Sequence, residues 1–236
     1  MEESNANLTR SNQDFERFVF VVSHDLQERI RVMTTYAELL EAKSSGLDED
    51  TKFLVSNILT SAARMREMLT GLIAHAQAGR PPAGAPKMVD LNNVLEIVKA
   101  NLKVSIAETG AVVTSDHLPL LNVHSSDFIS LFQNLIANAI KYQGEERPHV
   151  HVSARHGEGQ ILFSVCDNGI GIDPKYHLQI FEPFRRLHGS DVPGTGLGLA
   201  ICQRVIERYE GRIWVESEPG HGATFLFALP LAGEPG

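Results

Sequence analysis

Residues 194–209 read GTGLGLAICQRVIERY. Gly194, Gly196 and Gly198 run directly into a helical pattern, so bare backbone N–H groups stand at a helix start, where the helix dipole favours phosphate. The lysine and hydroxyl that complete a Walker phosphate loop are missing, and no strand-to-helix GxGxxG unit is followed by an acidic residue roughly 20 positions on. A nucleotide pocket of another design is required. Upstream, Asp167-Asn168-Gly169-Ile170-Gly171 follows an apolar run. That places a carboxylate at a strand end and two glycines where the backbone turns tightly and approaches a ligand. Further back, Asn134 and Asn138 lie four apart on one helical face, with Lys141 three residues on. Neutral amide oxygens suit magnesium on a polyphosphate, which keeps several waters and takes few protein ligands. The same pair also fits a plain solvated helix face.

Around these stretches the chain alternates between helix and strand. Val89 to Leu102 and Ser126 to Tyr142 read as helices, the latter with Phe128, Leu131, Phe132, Leu135, Ile136 and Ile140 on one side. Val112 to Ser115, His149 to Arg155, Gln160 to Cys166, Arg212 to Glu216 and Thr224 to Leu229 read as strands, the last two joined by Pro219-Gly220-His221-Gly222. Runs of strands with a few long helices predict a mixed sheet with helices on one face. Cys166 is expected to be a packed core thiol, and no internal repeat is present.

The first third is helical instead. Phe15, Val19, Val22, Leu26, Met33, Tyr36 and Leu40 step by four and three, interrupted only by Arg29. Lys43-Ser44-Ser45-Gly46 ends the helix with a glycine available for a left-handed cap, and Asp48-Glu49-Asp50 suits the positive start of a second helix. Leu54, Ile58, Ser61, Met65, Met68 and Leu72 continue the same spacing up to Gly79-Arg80-Pro81-Pro82. Two narrow stripes bury too little area to stabilise a lone hairpin, so a homodimeric four-helix bundle is predicted. Residues 79–87, GRPPAGAPK, read as a linker, and a second domain spans 88–232.

The chain has 236 residues and 43% hydrophobic residues, enough for two cored domains. Its 29 acidic against 21 basic residues give a net charge of −8, which argues against nucleic acid as a partner. Two cysteines provide neither a disulfide framework nor a zinc site. The polar start MEESNANLTRSNQDFERF lacks a signal core, and no stretch approaches the roughly 18 apolar residues of a membrane span. A soluble, cytoplasmic segment without membrane contact is expected.

Five stretches, in this order, carry a resemblance to the cytoplasmic catalytic half of bacterial sensor histidine kinases. Ser23-His24-Asp25-Leu26-Gln27-Glu28 resembles the family's phosphoacceptor box, and Asn134 to Tyr142 its asparagine box. Asp167 to Gly171 resembles the first glycine box, Ile180-Phe181-Glu182-Pro183-Phe184-Arg185-Arg186 the phenylalanine box, and Gly194 to Leu199 the second glycine box. The resemblance implies an α + α/β architecture. Residues 1–14 would end a signalling coiled coil, 15–78 would form the dimerisation and histidine-phosphotransfer hairpin, and 88–232 would form a GHKL-type α/β sandwich binding ATP and Mg2+. It further implies that Asn138 holds the magnesium, Asn134 assists near the phosphates, Lys141 contacts phosphate, Tyr142 lines the pocket and Asp167 accepts from the adenine amino group. Gly169 and Gly171 would shape the adenine side, and Gly194, Thr195, Gly196, Leu197 and Gly198 the phosphate side. Arg185 or Arg186 would reach the γ-phosphate, and Phe181 and Phe184 would anchor a lid from about Lys175 to Thr195.

His24 falls on the opposite side of its helix from Val22 and Leu26, which gives a phosphoacceptor the access it needs. An imidazole of unperturbed pKa roughly 6.5 is mostly neutral at cytosolic pH and can attack phosphorus. Asp25, the family's adjacent acid, would fix its tautomer. The remaining histidines, including His149 and His151, read as ordinary residues. The family also implies a response-regulator receiver domain as phosphoryl acceptor and a sensor module upstream of this segment. The sequence departs from the family at Arg29, where many members have proline, and at Glu28, where many place threonine or asparagine to orient a hydrolytic water. Phosphatase activity is therefore not implied. Two rival readings share the fold: a conformational ATPase, whose relatives carry a glutamate base at the position of Asn134, and a nucleotide-binding scaffold without kinase activity.

Overall fold

A computed structural model describes residues 22–23, 25–42, 48–79, 82, 84–157, 159–187 and 194–231. His24, residues 1–14, Phe15, Val19, the expected turn Lys43 to Gly46 and residues 188–193 of the expected lid lie outside them. The chain divides into two compact units, one reaching Gln77, the other holding Ala78 onward apart from Pro193–Thr195.

The first unit is a helical hairpin. Helix α1 covers residues 22–23 and 25–42, and α2 covers Glu49–Ala78. Asp48 starts α2 by accepting from the Thr51 amide at 2.8 Å, and the hydrogen bonding from Thr51 lowers its pKa. Among the described residues of the hairpin unit, which reaches Gln77, Ser23, Ile30 and Ala37 on α1 and Val55 and Ala62 on α2 are buried, each set recurring every seven residues. Val22, Leu26, Met33, Tyr36, Leu40, Leu54, Ile58, Met65 and Met68 are exposed in the single chain. The stripe read from the sequence is thus not the one that closes the hairpin. Each helix carries two adjacent stripes, about one residue apart around the helix, and a single neighbour covers only one of them. Arg29 is exposed, and Glu28 pairs with Arg31 at 3.9 Å on the same helix.

The second unit opens with strand β1, Lys87–Asp90, then α3, Leu91–Asn101, α4, Lys103–Thr109, β2, Val112–Ser115, and β3, Leu120–Val123. Helix α5, Ser125–Lys141, is followed by β4, His149–Gly157, and β5, Gln160–Asp167. Two single-turn 3-10 helices, Pro174–Tyr176 and Gln179–Phe181, precede α6, Gly198–Arg208, and strands β6, Arg212–Ser217, and β7, Ala223–Pro230. Strands β2-β4-β5-β7-β6 form a five-stranded sheet in which only β2 and β4 pair in parallel, while β1 and β3 form a separate antiparallel pair. The expected helix from Val89 begins instead at Leu91. Val89 belongs to β1, and Asp90 caps α3 by accepting from the Asn92 amide at 2.9 Å.

Alternate sheet residues point at the helices. Val150 and Val152, Ile161, Phe163 and Val165, and Phe225, Phe227 and Leu229 are buried, as are Phe128, Phe132, Leu135 and Ile136 of α5. Phe163 and Phe227 stack with ring centroids 4.7 Å apart. This parity corrects the reading of Cys166. It follows inward-facing Val165, so its side chain stands exposed on the opposite face, opposite His151 and Thr224. The core thiol is Cys202 on α6, whose pKa burial pushes up.

One buried ion pair ties the ends of this unit together. Arg208 Nη1 lies 2.6 Å from Asp127 Oδ2, the Tyr209 hydroxyl donates to the same oxygen at 2.8 Å, and Arg208 Nη2 donates to the Ala78 carbonyl. The Tyr209 oxygen accepts from the His124 amide at 3.0 Å, and burial pushes its hydroxyl pKa up to about 12. Asp127→Ala strands a guanidinium that is only 14% exposed. It is expected to lower unfolding free energy by about 3–5 kcal/mol in urea titrations, whereas replacing both partners with apolar residues costs less.

Candidate functional site

An open cleft of about 620 Å³ lies between α5, the end of β5, the loop after it, the second 3-10 helix, the start of α6 and β7. Ala139, Ile170, Ile172, Ile180, Leu199, Ala223 and Phe225 supply apolar walls; Asn138, Tyr142, Asp167, Arg185 and Arg186 supply the polar groups. Flat apolar walls with a few placed polar groups suit a purine ring.

Asp167 ends β5, and its Oδ1 accepts from the Gly169 amide at 2.8 Å and the Ala223 amide at 3.1 Å. Both bonds fall on Oδ1, which leaves Oδ2 for a donor entering the cleft. Burial raises the carboxyl pKa, and the two amide bonds only partly oppose it.

The glycines beside Asp167 are set by close approach. Gly171 has φ 72°, and a Cβ there would sit 2.0 Å from the Glu218 carbonyl oxygen; Gly222 has φ 74°, and its Cβ would sit 2.0 Å from the Asp167 carbonyl oxygen. A Cβ on Gly169 would meet the Tyr142 carbonyl oxygen at 2.4 Å. Gly222→Ala combines a left-handed strain with a backbone clash. It is expected to destabilise the lobe by more than about 2 kcal/mol in thermal or urea melts and to weaken nucleotide binding in the same preparation.

The structure brings Asn138, Tyr142, Asp167, Gly171, Arg185 and Arg186 to one cleft. Asn134 does not line it: its side-chain amide donates to the Ser130 carbonyl at 2.9 Å, and a Cβ on Gly198 would lie 2.8 Å from its Oδ1. Asn134 thus packs against the start of α6. Lys141 Nζ lies on its neighbour Tyr142, 3.2 Å from the hydroxyl. Phe181 is buried beside lining residue Ile180, while Phe184 is half exposed with φ 63°. Gly194 and Thr195 precede α6, Gly196 has φ 72°, and Leu197 is fully buried at its N-cap. Gln179 accepts from Arg185.

Sequence reasoning missed the apolar liners. Ala223 and Phe225 share parity with buried Phe227 and Leu229, which was the available signal, whereas Ile172 sits one residue beyond the first glycine box and Leu199 closes the second. Asp25 is exposed on α1 in the other unit. His151 bonds to Thr114 Oγ1 at 2.9 Å and lies 3.5 Å from Asp116, and no cluster of three or more metal-binding side chains (histidine, cysteine, aspartate or glutamate) occurs among the described residues. No helix among them is long and apolar enough to cross a membrane.

Fold and cleft together define an ATPase lobe of the GHKL type. Residues 123–233 match the family described as histidine kinase-, DNA gyrase B-, and HSP90-like ATPase. Over 228 residues, 96% of its length, the chain is 43% identical to cyanobacterial phytochrome A of Nostoc sp. and covers 30% of that protein. Over 215 residues, 88% of its length, it is 31% identical to the phosphate regulon sensor protein PhoR of Pseudomonas aeruginosa and covers 48% of it. Among solved structures, full-length ShkA in complex with AMPPNP matches with a TM-score of 0.70 at 25% identity, over 91% of this chain and 45% of that one. The chain therefore spans less than half the length of these relatives. Its C-terminal lobe matches the histidine kinase-, DNA gyrase B-, and HSP90-like ATPase domain, and over nearly its whole length the chain is similar to sensor histidine kinases.

Proposed function

We propose that the chain is the catalytic core of a longer signalling protein, in which ATP phosphorylates His24 and the phosphoryl group passes to an aspartate on a response-regulator receiver domain. The observation that carries this reading is the cleft, in which a part-buried carboxylate with one oxygen fixed by two amides faces apolar walls, with Asn138 and two arginines beside it. Asp167 Oδ2 accepts from the adenine amino group, and Arg185 and Arg186 supply positive charge for phosphates in a chain whose net charge is −8. The Asn138 carbonyl suits a magnesium ion, which when bound neutralises charge on the β- and γ-phosphates.

His24 donates its neutral nitrogen lone pair to the γ-phosphorus as the bond to the ADP oxygen breaks, and the ring proton leaves afterwards. Asp25 holds the other ring nitrogen and so selects the tautomer. Asn134, held by Ser130 at the start of α6, positions the glycine-bearing end of that helix toward the phosphates. The exposed stripe of Val22, Leu26, Met33, Tyr36, Leu40, Leu54, Ile58, Met65 and Met68 is more contiguous apolar surface than a monomer ordinarily leaves in water. A second copy of the hairpin covers it and completes a four-helix bundle. The upstream sensor module belongs to the part of the longer protein that the relatives carry beyond this segment.

Incubation of the chain with γ-labelled ATP and magnesium tests the reading. Acid-labile, alkali-stable label on the protein is the expected result. Release of free phosphate without labelled protein would point instead to a conformational ATPase, and nucleotide binding with neither would point to a scaffold.

A further inference from the structure

We propose that Ser217, which belongs to none of the motifs above, is a positioning residue that holds the adenine-recognising carboxylate and its floor in place. The inference deepens the adenine reading of the cleft and rests on it. Ser217 ends β6, and its Oγ makes two bonds: it accepts from the Ile172 amide at 2.8 Å and donates to the Gly222 carbonyl at 2.6 Å. Both partners bear on the purine floor. Ile172 lines the cleft on one side of Asp167, and Gly222 precedes Ala223, which lines it on the other and donates its amide to Asp167 Oδ1.

A hydroxyl is the small side-chain group that both gives and accepts at one atom. It therefore joins two backbone segments that approach each other closely. Gly220 donates to the Ile170 carbonyl at 2.8 Å, and Gly171 and Gly222 leave no space for a side chain against Glu218 and Asp167. The turn from Ser217 to Gly222 thus backs directly onto the loop from Asp167 to Ile172. Without the hydroxyl, a donor and an acceptor on either side of Asp167 lose their partners, and the loop relaxes to re-pair them. Recognition of the adenine amino group depends on where Oδ2 points, so that relaxation reaches the base selectively.

The test uses the full chain and calorimetric titration with magnesium and either ADP or IDP, whose base presents a carbonyl where adenine presents its amine. Ser217→Ala is expected to raise the Kd for ADP about tenfold and to change that for IDP by less than about twofold. The KM for ATP in self-labelling should rise with the ADP Kd while kcat stays within about twofold. Ser217→Thr, which keeps the hydroxyl, should restore wild-type affinity. Ser217→Cys retains a weak donor and acceptor, and should give a smaller loss with the same preference for ADP, so the inference is read from that variant should the alanine variant not fold. ADP affinity within twofold of wild type in the alanine or cysteine variant, equal losses for ADP and IDP, or no restoration by threonine would overturn the role of Ser217. A wild-type chain that does not bind ADP would overturn the adenine reading itself.

Discussion

His24→Ala is expected to abolish self-labelling, by at least about a thousandfold, while leaving ADP affinity unchanged. The effect is this large because the substitution removes the nucleophile. Asp25 is adjacent, but a carboxylate would give an acyl phosphate, which alkali destroys; retention of alkali-stable label in the alanine variant would therefore refute His24 as the acceptor. His24→Ala is also expected to leave thermal stability almost unaltered, since alanine is the best helix former and the position lies opposite the Val22 and Leu26 stripe. Unchanged ADP affinity separates this loss from any damage to the cleft. Mixed dimers of His24→Ala with an Asn138→Ala chain would also show, by which chain is labelled, whether the phosphoryl group moves within one subunit or across to its partner.

Asp167→Asn should weaken ADP binding by about a hundredfold and lower self-labelling through KM. The asparagine carbonyl can keep the bonds from Gly169 and Ala223, so the lobe folds, but its amide then directs a donor at the adenine amine. A charge-assisted bond of about 1.5–3 kcal/mol is lost and two donors face each other. Titration adds an independent check. Burial holds the Asp167 pKa above the ordinary 3.8, so in the window above 3.8 the folded lobe retains a proton that the unfolded chain has released. Its contribution to stability is therefore full below the unfolded value and is lost as pH rises through the folded one. Nucleotide affinity runs the other way. It rises with pH across the same window, because only the carboxylate accepts from adenine. Urea melts and ADP titrations at several acidic pH values should show these opposite slopes in wild type and neither in Asp167→Asn. Parallel slopes in the variant would assign them to another group.

Much of the cleft was legible because its chemistry is local. A carboxylate closing an apolar strand, then Gly169 and Gly171, declares a strand end and a loop too tight for side chains; the observed approach of Gly171 to Glu218 is that requirement seen from the other side. Asn138 could be placed because helical spacing fixes which residues share a face. Its neighbour Asn134 shares that face, yet packs on α6 rather than lining the cleft, since what lies opposite one turn of a helix is decided by a distant element. The strands β1 and β3 and helix α4 escaped notice for a related reason. Four-residue strands and a two-turn helix have little periodicity of their own and form because long-range pairing, such as Val89 with Leu121, selects them.

Cys166 and the hairpin show the same division. In β5 both faces carry apolar residues, Ile161, Phe163 and Val165 on one and Leu162 and Cys166 on the other, so hydrophobicity alone does not choose. Helices packed on one side of the sheet break the tie. Each hairpin helix likewise holds two adjacent seven-residue stripes, and packing assigned Ser23, Ile30 and Ala37 to the intrachain contact.

By itself, then, the sequence determined the two hairpin helices, the three longer helices of the second unit and the five strands of its main sheet, the positions of the glycines and the presence of an acid, an amide and cations suited to a nucleotide. These depend on backbone torsions and on spacings of a few residues. Only the tertiary structure decided which face of each element is buried, which liners complete the cleft, and that a serine 45 residues from Ile172 fixes its floor. Such contacts depend on how distant segments pack, and side chains that satisfy one another across a fold leave no periodic mark along the chain.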